Sequence, residues 1–246
     1  METELPLVGM AREQQRLSAA FSRGESLLIL APRWCGKTRL IKELLRAQET
    51  GLYVAWESTL HGLLLAMARL LIDTGHAGFL GRVKPGADPK AWVSRQTSIH
   101  LKGLLWSAME KMPVPLVLDG ISRAGFPAYR FLQRIYHTPG MSVLATARDL
   151  AAMGVLHRLF WDPRHIVHIP PLSEREAAHL FDLAAAHFHL RDLDLEEFRE
   201  KALESAAGNP GWIIEMCRLA TEPQYLAGRH VKFAPLRIDT LIRFAG

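Results

Sequence analysis

Cysteine is scarce in this sequence. Cys35 and Cys217 are the two thiols in 246 residues. They do not make a disulfide framework, and a reducing, cytoplasmic compartment is expected. Long hydrophobic runs are also missing. The most apolar stretch, residues 60–72, is interrupted by Gly62 and Arg69 and falls short of the ~20 apolar residues a spanning helix needs, so no membrane contact is expected. The first seven residues carry two glutamates and no apolar core, so no secretory signal is expected there. The basic residues are dispersed, and no Lys/Arg block occurs. A formal charge of +5 and a pI near 9.4 keep DNA or RNA as a candidate partner without pointing to it. His165, His168, His179, His187 and His189 have no cysteine or carboxylate at metal-ligand spacing, which favours surface positions over a transition-metal site. There is no internal repeat and no low-complexity segment.

What remains is an ordinary globular balance, 49% hydrophobic and 22% charged, enough for one large domain or a core with an appendage. Short β-rich runs at 27–30, 52–56, 116–119, 142–146 and 164–169 alternate with helical patterns. The patterns predict helices over 12–22, 36–48, 60–72, 90–111, 124–137 and 150–161. Glycines at 75, 78, 81 and 86 with Pro85 and Pro89 make 76–89 read as a loop or mobile insertion. After Pro170-Pro171 the pattern becomes helical throughout. Ser173 with Glu176 is a capping box that opens a helix to about 189. Helices follow over 195–207 and from Pro210 to about 220, and then a tail with a strand-like piece at 230–233. The expected fold class is α/β: a P-loop NTPase parallel sheet with helices on both faces, followed by a small all-helical lid. The expected division is 1–171 for the nucleotide-binding core and 172–246 for the lid and tail.

The densest signal is residues 27–38, Leu-Leu-Ile-Leu-Ala-Pro-Arg-Trp-Cys-Gly-Lys-Thr. An apolar strand breaks into a turn ending in Gly-Lys-Thr, and helix formers follow. This is the context a phosphate-binding loop requires. Ala31 stands where the template has its first glycine; Gly36, Lys37 and Thr38 match. Backbone N–H groups of the loop and the following helix N-terminus suit a triphosphate. Ala31, Pro32, Arg33, Trp34, Cys35, Gly36, Lys37, Thr38 and Arg39 are therefore the candidate nucleotide contacts. Lys37 would neutralise β/γ charge, and the Thr38 hydroxyl would ligate Mg²⁺. Asp119 ends an apolar strand, where it could hold the Mg²⁺ water shell. Thr146 and Arg148, at the end of the next strand, are candidates to reach the γ-phosphate or the attacking water. Cys35 is expected to be an inert filler, and Trp92 and Trp106 are expected to be core residues.

Taken together, these segments resemble the AAA-like branch of P-loop ATPases, near the STAND group. Residues 31–38 are similar to its G-P-R-x-x-G-K-T loop. Leu7-Val8-Gly9 with Arg12-Glu13 resembles its V-G-R-x-x-E segment, although Met10-Ala11 intervene. Asp119 matches Walker B, Thr146-Ala147-Arg148-Asp149 is similar to the sensor 1 segment T-T-R-D, and Gly208-Asn209-Pro210 looks like the G-x-P lid motif. The resemblance implies ATP/ADP and Mg as cofactors, Val8 and Gly9 near the adenine, and Pro210 near the adenine or phosphates. It also implies self-association or a protein partner, in which Arg158 or Arg164 could act as an arginine finger, with solvated surface arginines the favoured reading of both. One departure is chemical. The family's second acid after the Walker B aspartate is replaced by Gly120, and losing general-base assistance costs ~10²–10⁴-fold in rate. The expectation is a nucleotide-dependent conformational switch with weak hydrolysis, in which Gly120→Glu raises turnover. The rival expectations are a DNA-associated ATPase assembling on duplex and a pseudo-ATPase keeping structural nucleotide. Because the chain ends soon after the lid, a sensor or effector is expected on a separate protein.

Overall fold

The structure is a computed structural model that describes residues 5–48, 51–111 and 113–245. The first four residues, part of the stretch read for a secretory signal, lie outside the described residues, as does Gly246 at the end of the expected lid. The elements run α1 (Ala11–Ser22), β1 (Leu27–Leu30), α2 (Lys37–Gln48), β2 (Leu52–Ala55), α3 (Leu60–Asp73), α4 (Ala77–Leu80), α5 (Pro89–Ser94), α6 (Ser98–Met109), β3 (Leu116–Ile121), α7 (Phe126–Tyr136), β4 (Val143–Ala147) and β5 (Ile166–His168). After them come α8 (Glu174–His187), α9 (Glu196–Ala206), α10 (Pro210–Leu219), β6 (Leu226–Ala227), β7 (His230–Val231) and α11 (Phe233–Ala245).

Five strands form one parallel sheet in the order β2-β3-β4-β1-β5. With helices flanking it and a helical C-terminal region after it, this is the α/β architecture of a P-loop NTPase. The composition of the strands explains the choice. A parallel sheet covered on both faces needs continuous apolar runs rather than alternation. The Leu-Leu-Ile-Leu of β1 and the Val-Leu-Ala-Thr-Ala of β4 are buried at every position. No helix among the described residues is long and apolar enough to cross a membrane.

Contacts divide the chain into two units. One is Arg12–Ala31 with Ile41–His168; the other is Met1–Ala11, Pro32–Leu40 and Ile169–Gly246. The first holds the sheet, and its core runs through Leu28 and Leu118 on the strands to Leu64, Leu105 and Leu132 on the helices. The second has its own core, in which Leu180, Phe181, Phe198, Ile213, Met216 and Leu236 join α8 to α11, with Leu5 and Val8 packed against it. It also carries the antiparallel two-residue pair β6–β7.

Several local expectations change. Residues 76–89 are not an empty loop. His76 caps the single turn α4, and Phe79 anchors it in the sheet core at 1% exposure. The glycines there mark turns between short pieces. The helix expected over 90–111 is two helices. Arg95 ends α5, and the Thr97 side chain caps α6 by accepting from the His100 N–H; a side-chain cap competes with the continuing helix. The helix expected over 150–161 is two 3-10 segments, Ala151–Met153 and Val155–Phe160, parted at Gly154 (φ 55°, ψ −133°), a conformation that interrupts a helix. The tail forms the thirteen-residue α11, because Pro235 falls in its first turn, where proline is tolerated.

The capping box at the start of α8 forms. The Ser173 hydroxyl accepts from the Glu176 N–H, and the Glu176 carboxylate accepts from the Ser173 N–H at 2.9 Å. Both the Ser173 hydroxyl and its N–H hold the Glu176 carboxyl below its ordinary range. Its contribution is therefore present at neutral pH and is lost as the pH falls through that lowered value. Ser173→Ala should cost about 1 kcal/mol in urea denaturation at neutral pH, with the difference from wild type shrinking in acid. An equal difference at both pH values would contradict this.

Candidate functional site: the phosphate loop, its lid motif and the Asp119 strand end

The loop begins where β1 ends. Ala31 is buried and its N–H donates to the Ala147 carbonyl at 3.3 Å. Beyond it, Pro32, Arg33 and Trp34 are exposed and Cys35 is buried. Trp34 and Gly36 have positive φ, 67° and 81°. At Gly36 a Cβ would also come within 2.9 Å of Met10 Cε, so both conformation and space require glycine. The Leu40 N–H donates to the Gly36 carbonyl at 2.9 Å and starts α2. Lys37 Nζ donates to the Pro32 carbonyl at 2.6 Å, closing the loop on itself. Thr38 is exposed and Arg39 half-buried. Burial pushes the Cys35 thiol up, against the opposing charge of Lys37, which suits packing rather than reactivity.

The lid motif grips this loop through its backbone. Asn209 Nδ2 donates to the Arg33 carbonyl at 3.0 Å, and the Gly211 N–H donates to the Trp34 carbonyl at 3.0 Å. The Asn209 Oδ1 caps α10 by accepting from the Gly211 and Trp212 N–H groups. In a trans peptide the carbonyl of one residue and the N–H of the next point opposite ways. Turning the Arg33 and Trp34 carbonyls to the lid therefore turns the Trp34 and Cys35 N–H groups away from it. Gly211 permits this closeness, since a Cβ there would sit 2.5 Å from Trp34 Cβ and 2.7 Å from its carbonyl oxygen. Pro210, the lid residue that the sequence motif singles out, occupies the first turn of α10; its neighbours Asn209 and Gly211 make the contacts. The N-cap pattern of Asn before Pro is visible in the sequence, but its partner is not. The Trp34 ring packs at a tilt against Phe244 of α11 (centroids 4.7 Å), and Phe244 meets Trp212 edge-on (5.1 Å). Val8 packs on the same unit's core, and Gly9 (φ 74°) lies so close to Leu172 that a Cβ would come within 2.5 Å of it.

In the sheet unit, Asp119 and Thr146 form a pair. The Thr146 hydroxyl, fully buried, donates to Asp119 Oδ1 at 2.6 Å and accepts from the Gly120 N–H at 2.7 Å. Tyr53 donates to Asp119 Oδ2 at 2.8 Å. Burial and the Asp119 carboxylate hold its phenol well above the usual range, so Tyr53 stays a donor. The sequence motifs do not single out Tyr53, whose role depends on the β2–β3 register that pairs Ala55 with Asp119. Arg148 is exposed and its Nε donates to Asp149 at 2.8 Å. Asp149 in turn accepts from the Ala152 N–H. Arg164 is bound to Asp162 through both Nε and Nη2, and this pair holds the Asp162 carboxyl down at about 2. Arg158 is exposed on the second 3-10 segment. Trp92 and Trp106 are half-buried against the sheet core.

Gly120 is in the left-handed region (φ 76°), where the β3–β4 register shifts between Leu118 and Ile121. A side chain would find open space there, but an L-residue pays roughly 1–2 kcal/mol for that backbone. The expectation that Gly120→Glu raises turnover therefore loses its simple basis, because the position is shaped for glycine. A second acid does stand near in register. The Trp56 N–H donates to the Asp119 carbonyl at 2.8 Å, and Glu57 follows, its carboxylate lying against the first turn of α3 beside Gly62. Spacing downstream of Asp119 does not reveal it, because Glu57 comes from the neighbouring strand's end.

The comparisons decide the fold. The chain superimposes on Cdc6p from Pyrobaculum aerophilum with a TM-score of 0.62 at 10% identity, covering 90% of this chain and 64% of that one. A Walker-type ATPase of Pyrococcus abyssi gives 0.63 at 14% identity, covering 96% of this chain and 72% of that one. The fold is that of an AAA-like P-loop ATPase. A STAND protein with a tetratricopeptide repeat sensor from Pyrococcus horikoshii gives 0.55 at 16% identity, covering 99% of this chain and 33% of that one. The chain thus spans just under two thirds of the Cdc6p chain and a third of the STAND chain. No protein-family model matches the sequence, and no curated protein is significantly similar to it.

Gly211→Ala should drive the 209–211 segment off the loop. The expected cost is about 1–3 kcal/mol, with Trp34 emission shifted to longer wavelength as its carbonyl and ring contacts loosen. Unchanged stability and an unchanged spectrum would contradict the contact.

Proposed function

We propose that this chain binds ATP and ADP with Mg²⁺ and acts as a nucleotide-dependent conformational switch with slow hydrolysis. The observation that carries this reading is the grip of Asn209 and Gly211 on the Arg33 and Trp34 carbonyls. Any change in the loop's peptide planes is felt directly by α10. The loop's donor set fits an anionic ligand. Two peptide N–H groups face away from the lid, Gly36 lets the backbone approach, and α2 opens with Lys37, so its N-terminal dipole favours negative charge.

Lys37 would exchange its bond to the Pro32 carbonyl for the β/γ-phosphates. Thr38 and Asp119 would hold Mg²⁺, the latter through its water shell. Bound Mg²⁺ would supply charge neutralisation at the phosphates. Tyr53 and Thr146 would orient the Asp119 carboxylate for this role, one at each oxygen. Thr146 and Arg148 would sense the γ-phosphate, Arg148 after leaving Asp149. Val8 and Gly9 would lie by the adenine. Self-association or a protein partner in the cytoplasm would read the switch, with Arg158 the freer finger candidate, because Arg164 is committed to Asp162. Glu57 replaces the acid missing at Gly120.

Lys37→Ala should abolish ATP binding in isothermal titration; an unchanged affinity would remove the basis of the whole reading. Glu57→Gln should lower single-site turnover at least tenfold while leaving ATP affinity intact. Equal turnover would show that Glu57 plays no part in positioning water. Size-exclusion with light scattering in ADP, ATP and a non-hydrolysable analogue, with and without duplex DNA, separates a self-associating switch from a DNA-assembled ATPase.

A further inference from the structure

Away from the loop, α6 and α7 enclose a groove of about 230 Å³. Its lining includes Ile99, Lys102, Gly103 and Trp106 from α6, and Arg130 and Arg134 from α7. The charge along it has one sign. Neither α6 nor α7 contains an acidic residue, in a chain that has 25. Glu110, the first acid past α6, is not part of the lining. Lys102, Arg130 and Arg134 make no salt bridge among the described residues. The Arg134 guanidinium instead lies over Trp106, 3.5 Å from the ring centroid, a cation–π contact that an N–H bond to an anion can accompany.

The groove is also apolar in a way that solvent does not favour. Ile99, at its mouth, is 83% exposed, and the Trp106 ring forms part of its wall. Gly103 opens the floor: a Cβ there would meet nothing within 4 Å. An apolar surface that is contiguous and rimmed by polar groups is the kind that marks an interaction site, and here Ile99 and the Trp106 ring adjoin three cations. A nucleic-acid backbone would use the three cations but gain nothing from Ile99. A peptide with carboxylates flanking an apolar side chain would use both.

We infer that the α6–α7 groove is a docking site for an acidic protein segment carrying an apolar anchor: the anchor would seat over Gly103 against Ile99 and Trp106, and the carboxylates would pair with Lys102, Arg130 and Arg134. The inference does not depend on the nucleotide reading, since no residue of the groove belongs to that site.

The test uses the full chain and fluorescence anisotropy. The probe is a fluorescein-labelled amphipathic peptide with Glu and Leu at helical spacing. The comparison probes are its Glu/Ser and Lys/Leu counterparts and a labelled DNA duplex. Saturable binding of the Glu/Leu peptide is expected, weakened at least tenfold by Gly103→Leu and at least tenfold by Arg130→Glu with Arg134→Glu, and weakened by salt. Gly103→Leu fills the groove while raising helix propensity, so the variant remains folded, which circular dichroism checks. No saturable binding of the Glu/Leu peptide, equal affinity in Gly103→Leu, or equal affinity for the Lys/Leu peptide would overturn the inference. Duplex binding that the double charge reversal abolishes, without peptide binding, would assign the surface to nucleic acid and overturn it as well.

Discussion

Two hydrogen bonds from one short segment organise the C-terminal unit. Asn209 and Gly211 take the Arg33 and Trp34 carbonyls, and from that follow the direction of the loop's N–H groups, the start of α10 and the need for glycine at 211. Each bond is individually worth only about 0.5–1.5 kcal/mol. Their importance is geometric: a trans peptide is rigid, so fixing its carbonyl fixes its N–H. Trp34 reinforces this, with a positive φ and a ring held on Phe244. A change in those peptide planes would strain both bonds to the lid.

The sheet unit makes a different use of hydrogen bonding. Thr146 is buried and fully engaged, joining the side chain of Asp119 to the backbone of Gly120. Its position on β4, the strand between β1 and β3, makes that bridge available. Tyr53 closes the other carboxylate oxygen from β2. The carboxylate is thus oriented from two neighbouring strands. The left-handed Gly120 belongs to the same arrangement, because the register shift that brings its N–H to Thr146 requires a residue free to adopt positive φ.

Much of this is legible in the order of the residues. The continuous apolar runs announce a buried parallel sheet, and Gly36-Lys37-Thr38 announces the turn that opens α2. Ser173 and Glu176 announce the start of α8. The rest depends on facts that one-dimensional spacing does not hold. Tyr53 meets Asp119 only once β2 is paired with β3, and Asn209 meets the loop only once its amide finds a carbonyl far away in sequence. Gly120 reads as a missing acid because spacing carries no backbone conformation. A single helix over 90–111 is an overreading, because the apolar periodicity continues through Arg95–Thr97, where local capping overrides it.

Occupancy of the loop should reach the lid through the Arg33 and Trp34 carbonyls. Hydrogen–deuterium exchange of residues 209–219 with and without saturating ATP tests it most directly. ATP should change the exchange of these residues in the wild type and leave it unaltered in Lys37→Ala. Unaltered exchange in a wild-type chain shown by titration to hold ATP would contradict it.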